Sequence, residues 1–501
     1  MNLKGKLSLP GKKVGGASAD AVFLTAARLM TTVLGFTVTR LLSQFFSVHD
    51  YGTYSQIMLL VSTLSSITVL GMVDAVNYFF CSQDNIPDRE RYMGTLFALQ
   101  AVVSTVAGVV VLLLTYPISR YFDNPDLKKL LIFGAVLPFL QNLIPMLQVL
   151  FVAVGKAKLL AFKNLTISFL RFSAVLIACL LVQEVWLILL ATVLLDVGQI
   201  TFFLLLLRKE GCRVGIHRAD LALVKPILSY SIPMAAFIIL NTINRDCDKY
   251  VISAFTDTET LAVYTNAAKV LPFDIIMQSF CTVLLPHITR HLAAGELEGA
   301  KKLYRYFVEI TYISTGILAC AALAAAPDLM ELLYTDKYLS GLGVFVVYIL
   351  VDILRFTNLT MILSASGKTK ILMFLAMGSL VGNLILNVVF FRLFGILGPA
   401  IATLMVTLAV GMVILILSGR IMGTNLRGIF HVKYLGLFAM ENIVAIPAFL
   451  ALRQWLHRLG LHYLVSLILI YGAYVILMLG LNGKRILKDL RDVSAATSQR
   501  K

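Results

Sequence analysis

The sequence predicts an all-α integral membrane protein with about fourteen transmembrane helices, arranged as two parallel six-helix repeats followed by two extra C-terminal helices. Apolar stretches long enough to cross a bilayer recur along the 501 residues, basic residues cluster in alternate connections, and one local pattern returns after about 211 residues. Hydrophobic residues make up 59% of the chain and charged residues 14%, whereas ordinary globular chains have about 25% charged residues. This composition excludes a soluble multidomain enzyme, because polar groups could not cover its surface.

A bilayer core about 30 Å thick requires about 20 apolar residues of helix. The basic, glycine-rich segment Met1–Asp20 lacks the apolar core of a signal peptide, so we expect a cytoplasmic tail and an uncleaved first span. The fourteen spans are expected at Ala21–Phe46, Tyr54–Phe80, Tyr92–Tyr116, Leu130–Val154, Leu159–Val182, Val185–Leu207, Val224–Asn244, Leu261–Leu285, Tyr304–Ala326, Val344–Ser364, Ile371–Phe391, Ile396–Ser418, Tyr434–Leu452 and Leu461–Leu481.

The distribution of Lys and Arg predicts the orientation of these spans. With a cytoplasmic N-terminus, 29 of the 43 basic residues fall on cytoplasmic segments, nine on outer segments and five inside spans. We therefore expect both termini in the cytoplasm and a multi-pass protein of the bacterial cytoplasmic membrane. The net charge of +16 is then mostly a topogenic signal, so nucleic acid is not an expected partner. The basic C-terminal tail is expected to contact anionic lipid headgroups.

Enzymatic motifs are not apparent in the sequence. The six cysteines are scattered without a C-x-x-C pair, so we expect buried thiols rather than a disulfide framework or a metal site. H-E-x-x-H, G-x-S-x-G, P-loop and Rossmann patterns do not occur either. The outer loops are too short for the catalytic residues of a polysaccharide polymerase or ligase. We therefore expect no enzymatic activity and no cofactor.

An internal repeat relates the two halves of the chain. A shift of about 211 residues covers six spans, an even number, so both copies enter the membrane from the same side. Two such bundles are expected to enclose a central cleft, although a purely structural pseudo-dimer is an alternative. The expected parts are residues 1–212, residues 213–430 and the add-on 431–501. The matching pairs are Gly155–Phe162 with Gly367–Phe374, Tyr54-Ser55 with Tyr264-Thr265, and Arg91 with Lys301.

Charged residues inside the spans are candidates for function, because each costs about 2.5–3.5 kcal/mol at the centre of a membrane helix. Spans 1, 2, 7 and 8 hold most of these charges. Because the repeat covers six spans, spans 7 and 8 are the counterparts of spans 1 and 2. That pattern favours a shared polar cleft. The candidates are Arg28, Arg40, Asp74, Arg171, Asp196, the run Arg245–Lys249, Lys269, Asp274, Glu309, Asp352, Arg355 and Glu441.

Several of these charges have more than one interpretation. Arg28 lies a turn or two into the first span, too deep to reach the headgroups easily, and is expected to face the cleft. Arg40 and the run Arg245–Lys249 are expected either to serve the cleft or to mark the outer ends of helices 1 and 7, with side chains extended to the headgroups. Arg171 is expected either to pack against Asp196 or to bind a ligand.

Spans 8 and 10 each carry a close pair of opposite charges. Lys269 and Asp274 flank Pro272, whose ring removes a helix hydrogen bond, so a broken helix and a substrate or ion site are expected there. Asp352 and Arg355 are spaced i, i+3 and are expected mainly to neutralise each other.

Several motifs together resemble the polysaccharide transport family, the Wzx-like oligosaccharide-lipid flippases of the multidrug/oligosaccharidyl-lipid/polysaccharide (MOP, MATE-like) exporter superfamily. The resemblance extends over most of the chain, including the fourteen-helix count. The motifs are Arg40-Leu41-Leu42 followed by Asp50-Tyr51-Gly52-Thr53-Tyr54, then Leu228-Ser229-Tyr230-Ser231-Ile232-Pro233, Asp248-Lys249-Tyr250-Val251-Ile252, Val263-Tyr264-Thr265-Asn266-Ala267, and Gly395-Ile396-Leu397-Gly398-Pro399-Ala400.

This resemblance implies alternating access and outward movement of an undecaprenyl-diphosphate-linked glycan, with membrane lipids and glycan polymerase machinery as further partners. It implies cavity cations for the diphosphate, and Arg28, Arg245 and Lys269 fit that role. Asp74 and Asp274 are candidates for proton or sodium coupling. Two alternatives within the superfamily are a lipid II flippase and a cation-coupled drug antiporter.

Overall fold

The computed structural model describes residues 14–82, 86–153, 157–209, 215–269, 271–355 and 359–498, and the regular structure of these residues is helical. The first half contains α1 (Val14–Phe45), α2 (Val48–Thr68), α3 (Met72–Ser82), α4 (Ile86–Leu113), α5 (Thr115–Tyr121), α6 (Leu127–Ala153), α7 (Ala157–Leu181) and α8 (Val185–Lys209). The second half contains α9 (Val224–Phe255), α10 (Thr258–Ala267), α11 (Asp274–Ala293), α12 (Leu297–Ala324), α13 (Ala326–Tyr334), α14 (Leu342–Leu354), α15 (Met361–Ala365), α16 (Thr369–Phe394), α17 (Leu397–Ile421), α18 (Leu426–Ile429), α19 (Val432–Arg458) and α20 (Tyr463–Ser498). Short 3₁₀ helices occur at Ile216–Arg218, Leu221–Leu223 and Asp336–Gly341.

Within the described part of the chain, ten helical segments are long and apolar enough to cross a membrane. They correspond to α4, α6, α7, α8, α12, α14 with its preceding 3₁₀ turn, α16, α17, α19 and α20. The protein is therefore a multi-pass membrane protein, while the count of fourteen stays a prediction. The other four expected spans coincide with α1, α2–α3, α9 and α10–α11, the same spans to which the sequence assigns most of the intramembrane charges.

The helix boundaries confirm the internal repeat. Both ends of α4 reappear in α12 at a distance of 211 residues, and both ends of α1 reappear in α9 at a distance of 210. Helix α8 likewise returns as α17, with both ends displaced by 212 residues. The same order of helices has therefore been used twice.

Three expected spans differ from continuous helices. Tyr54–Phe80 is interrupted between α2 and α3, where Leu70 and Gly71 have φ angles of 44° and 66°. These left-handed angles cannot continue a right-handed helix. The break expected at Pro272 is confirmed between α10 and α11, whereas the break between α14 and α15 was not expected.

The seventh helix corrects another expectation. The run Arg245–Lys249 does not end this helix, because α9 continues to Phe255. The run lies in the helix interior, and no Gly or Pro follows it before Phe255. Asp246 accepts hydrogen bonds from Arg245 at 3.2 Å and from Lys249 at 2.6 Å, so these charges compensate one another within the helix.

The chain divides into two compact units. Unit 1 comprises the described parts of Met1–Phe46, Leu60–Thr115 and Lys129–Ala235. Its core is built from α3, α4, α6 and α8, with buried side chains such as Leu147, Phe151 and Phe203. Unit 2 comprises the described parts of Ser47–Leu59, Tyr116–Lys128 and Ala236–Lys501, and α12 supplies residues to two of its hydrophobic clusters.

Inside unit 2, the first turns of α2 pack against α10. The Tyr51 hydroxyl donates a hydrogen bond to Oδ1 of Asn266 at 2.7 Å, and Nε2 of Gln56 donates to the Thr258 hydroxyl at 3.1 Å. A Cβ atom added at Gly52 would collide with the carbonyl oxygen of Thr258. The two backbones therefore approach each other at a position where only glycine fits.

Candidate functional site

Two broken spans meet inside unit 2. One break follows Ala267, the last residue of α10, and the other follows Leu354, the last residue of α14. The backbone N–H of Leu271 in the first break donates a hydrogen bond to Oδ2 of Asp352, just before the second, at 3.1 Å. Asp352 is only 6% exposed. Its carboxylate therefore satisfies a backbone donor that a continuous helix would have paired internally.

Each break carries a basic residue, and local chemistry explains why the helix ends there. Pro272 has no N–H to donate to the preceding turn, and Lys269 is exposed in the same segment. In the second break, the N–H of Arg355 closes the last turn of α14 by donating to the carbonyl of Val351 at 3.0 Å. A cation at a helix C-terminus interacts favourably with the helix dipole.

A cavity of about 390 Å³ lies beside the second break. Helices α9, α14, α16 and α17 contribute to its wall, together with α11 and the segment that leads into α15. Its volume falls within the range of about 300–1,000 Å³ typical of ligand pockets. Its polar lining consists of Asn241, Asn244, Arg355, Thr360, Ser379 and Thr407.

Hydrogen bonds hold one amide of this wall in place. Nδ2 of Asn244 donates to the Ser379 hydroxyl at 3.0 Å. Nδ2 of Asn383, a buried residue of α16, donates to Oδ1 of Asn244 at 3.2 Å and to its carbonyl at 3.3 Å. This polar part of the wall is therefore pre-organised.

Arg355 differs from the other intramembrane charges of unit 2. Among the described residues, it makes no hydrogen bond or ion pair through its side chain, and no carboxylate lines the cavity. The expected pair of Asp352 and Arg355 is not formed, and Oδ2 of Asp352 accepts instead from the backbone N–H of Leu271. By contrast, four buried carboxylates elsewhere in the unit have side-chain partners: Asp246 binds Arg245 and Lys249, Asp248 binds Tyr264 and Tyr348, Glu309 binds His431, and Asp328 binds Arg453 and His457.

Unit 1 contains a connected intramembrane network on α7 and α8. Lys163 donates to Oε1 of Gln199 at 2.8 Å, and Gln199 donates to Oδ1 of Asp196 at 3.0 Å. Arg171 lies 3.4 Å from the same oxygen. The predicted packing of Arg171 against Asp196 is thus confirmed, and the buried carboxylate is shared through one network with two cations.

The structure describes the side chains of only some of the other site residues that the sequence predicts. Arg28 lies on α1, Asp74 on α3 and Asp274 at the start of α11, but their side chains fall outside the described residues. Arg245 is exposed and bound to Asp246, whereas Lys269 lies at the junction of the broken spans. In the part of the chain that the structure describes, no three His, Cys, Asp or Glu side chains come close enough together to hold a metal ion.

Arg355 is the residue that the sequence analysis undervalued. Its spacing from Asp352 suggested a neutral pair. The only sequence signal against that interpretation was the position of both charges in the middle of an expected span.

Comparisons with known proteins agree with this architecture. The structure of the lipid II flippase MurJ in an inward closed conformation superposes with a TM-score of 0.72 at 14% identity, over 93% of this chain and all of that one. An inward-facing multidrug resistance MATE family transporter of the MOP superfamily gives a TM-score of 0.63 at 14% identity, over 81% and 99% of the two chains. At such identities the likeness shows the fold.

Sequence comparison gives a shorter and a longer match. The chain is 29% identical over 137 residues to the probable lipid II flippase MurJ of Rhizobium meliloti (strain 1021), which is 27% of this chain and 26% of that protein. The chain thus matches about a quarter of the length of this curated relative. The family model described as "Polysaccharide biosynthesis protein" matches residues 38–342, more than half of the chain. The cation-bearing junction of broken helices therefore lies in a membrane protein that belongs to the polysaccharide biosynthesis protein family.

Proposed function

We propose that the protein is a flippase. It moves a lipid-linked oligosaccharide or polysaccharide precursor, carried on undecaprenyl diphosphate, from the inner to the outer leaflet of the bacterial cytoplasmic membrane by alternating access. One observation carries this proposal: two broken spans meet in unit 2 with Lys269 at one break and Arg355 at the other. Broken helices at membrane depth are typical of transporter binding sites. Family membership and the relatives named as flippases support the same conclusion.

The charge of the cargo accounts for the cations. A diphosphate headgroup carries about two negative charges, and each gains about 2.3 kcal/mol when it moves outward against an inside-negative potential of 100 mV. Cations inside the membrane offset the cost of desolvating this headgroup. We assign this role to Arg28 and Lys269. Arg245 is a weaker candidate because it already binds Asp246. Asp74 and Asp274 are the candidates for proton or sodium coupling.

The orientation of the chain completes the proposal. Both termini lie in the cytoplasm, as the distribution of basic residues predicts. A reporter enzyme fused at Asp220 would then report the cytoplasm, and one fused at Asp336 the outer side. The reverse result would overturn the topology. On the outer side, a glycan polymerase is the class of enzyme that would consume the product.

Complementation of glycan export tests the function directly. The chain should restore surface glycan in a strain that lacks its own oligosaccharide-lipid flippase, and Arg28→Ala should abolish the rescue while the protein remains folded in the membrane. Normal export by that variant would remove Arg28 from the site. Rescue of a strain depleted of its lipid II flippase, without rescue of glycan export, would identify lipid II as the cargo instead. Efflux of a cationic dye that is lost in Asp74→Asn would favour a drug antiporter.

A further inference from the structure

We infer that the cavity beside Arg355 binds a monoanionic sugar, of the hexuronate class, within the transported glycan. This inference rests on the proposed function and narrows its substrate: the lipid-linked glycan would contain at least one acidic sugar residue.

The single positive charge in the cavity lining favours a ligand that carries one negative charge. Arg355 is the one charged side chain in the described lining, and no carboxylate among these residues offsets it. A guanidinium binds a carboxylate through two parallel hydrogen bonds. A diphosphate would bring about two negative charges against one cation, and an uncompensated charge is costly in a low-dielectric site.

The polar wall suits a hydroxyl-rich ligand. The amides of Asn241 and Asn244 and the hydroxyls of Thr360 and Thr407 line the cavity and provide both donors and acceptors. Asn244 is held by Ser379 and by Asn383 of α16. A sugar ring presents spaced hydroxyl groups around its edge and would be matched by such a wall, whereas inorganic phosphate has no ring of hydroxyl groups to place against it.

The remaining lining is apolar, as the C–H face of a sugar ring requires. Leu359, Leu372, Val410 and Ile414 contribute to this side. Gly411 lies among them, and a Cβ atom added there would come within 3.2 Å of the Leu359 side chain. A glycine at this position therefore keeps room in the cavity.

The depth of Arg355 separates a ligand site from an interfacial anchor. Helix α14 has 13 residues, so at 1.5 Å per residue Arg355 lies about 20 Å of helix from its first turn. On the other side, Ser366, the first residue after α15, is eleven residues further along the chain. A side chain near the middle of a core about 30 Å thick does not reach the headgroups easily.

Ligand-observed NMR on the purified full-length protein in lipid nanodiscs tests the inference. The probes are sodium glucuronate, glucose and inorganic diphosphate. We expect saturation transfer to glucuronate, at least tenfold weaker transfer to glucose, and little competition from diphosphate. Arg355→Gln should lose the glucuronate signal, Arg355→Lys should keep part of it, and Arg392→Gln, which alters an exposed arginine at the end of α16, should keep all of it.

Equal binding of glucose and glucuronate, full displacement of glucuronate by equimolar diphosphate, or unchanged binding in Arg355→Gln would each overturn the inference. A second measurement separates it from the flippase proposal. Flipping of a lipid-linked neutral glycan in proteoliposomes, equally fast in wild type and in Arg355→Gln and no slower than flipping of its acidic counterpart, would overturn the acidic-sugar site alone. Glucuronate binding by Arg355 without any flipping of lipid-linked glycan would overturn the flippase function alone.

Discussion

The fourth span of the first repeat and its counterpart in the second repeat accommodate polar residues in different ways. Helix α6 runs unbroken from Leu127 to Ala153 although it contains two prolines. Its counterpart, displaced by about 212 residues, contains no proline and is nevertheless split into α14 and α15. Proline therefore does not decide where these spans break.

The partners of the polar side chains explain the difference. In α6, buried Asn142 donates to the Thr68 hydroxyl at 2.7 Å, so its polar group is satisfied without disturbing the helix. In the second copy, Asp352 binds the backbone of another broken span, and Arg355 is left facing a cavity. The comparison teaches that an intramembrane polar group with a side-chain partner serves structure, while one that faces a cavity is available to a ligand.

The largest effect is expected from Arg355→Leu, which introduces the leucine found at the corresponding position of α6. Export of an acidic glycan should fall at least about thirtyfold, because truncating one side of a buried charge pair costs about 2–5 kcal/mol. The unfolding temperature should stay the same or rise, since Arg355 is half-buried and replacing such a charge inside the membrane by an apolar residue removes a desolvation cost. Export assays and thermal unfolding of the purified variant measure both. A destabilised variant would show that Arg355 serves the fold.

Asp196→Ala addresses the paired network of unit 1. This variant should lower the free energy of unfolding by about 2–3 kcal/mol, somewhat less than the cost of breaking a fully buried pair. The expected cost is smaller than for a fully buried pair because the Arg171 side chain is 44% exposed. It is still substantial because Lys163 is buried and would lose the carboxylate of its network. Denaturant unfolding in mild detergent measures the change. Adding Lys163→Met should restore part of the loss, and transport per folded molecule should be unaffected. A specific loss of transport would move this network into the functional site.

Asp352 offers a matched pair of substitutions at the junction. Asp352→Asn keeps an acceptor for the Leu271 N–H and should lower the free energy of unfolding only slightly. Asp352→Leu introduces the residue found at this position in the first copy. It should lower the free energy of unfolding by about 1–3 kcal/mol, because a buried donor loses its partner. Hydrogen exchange at Leu271 should accelerate only in the leucine variant. Equal exchange rates in the two variants would show that the carboxylate does not hold the break.

The smallest effect on stability is expected outside the membrane, at Asp220 in unit 1. This residue lies in the connection that precedes α9 and contacts α4. The backbone N–H of Ala222 and the Arg91 guanidinium hold the pKa of Asp220 below its usual value. Since the ordinary pKa of aspartate is about 3.9, this contact stabilises the fold above about pH 4 and is lost as the pH falls through the lower pKa of the folded state. Limited proteolysis of the connection between pH 3 and 6 should show this dependence in the wild type and not in Asp220→Asn. Cleavage that does not change with pH in the wild type would contradict it.

Much of the fold could be predicted from the sequence, because hydropathy and repeat spacing depend only on the order of the residues and not on tertiary contacts. The break at Pro272 followed from the residues themselves, and the pair of Arg171 with Asp196 was one of the two alternatives that they offered. The end of α9 was wrongly placed at Arg245–Lys249, since a run of charges resembles an interfacial end and its internal pairing through Asp246 depends on side-chain geometry.

The site was harder to predict than the fold. The partner of Asp352 is a backbone group 81 residues away in the chain, and no sequence spacing indicates such a contact. Arg355 therefore looked neutralised by its neighbour. Only the tertiary arrangement shows that Asp352 accepts from this backbone group and that Arg355 lines a cavity.

The close approach at Gly52 has a mechanical consequence. Where α2 meets α10, backbone lies against backbone, and no side chain of Gly52 interlocks with Thr258. A side chain of any size at residue 52 would therefore push the two helices apart. The hydrogen bonds from Tyr51 to Asn266 and from Gln56 to Thr258 depend on this short separation, so a single methyl group at residue 52 would put both at risk.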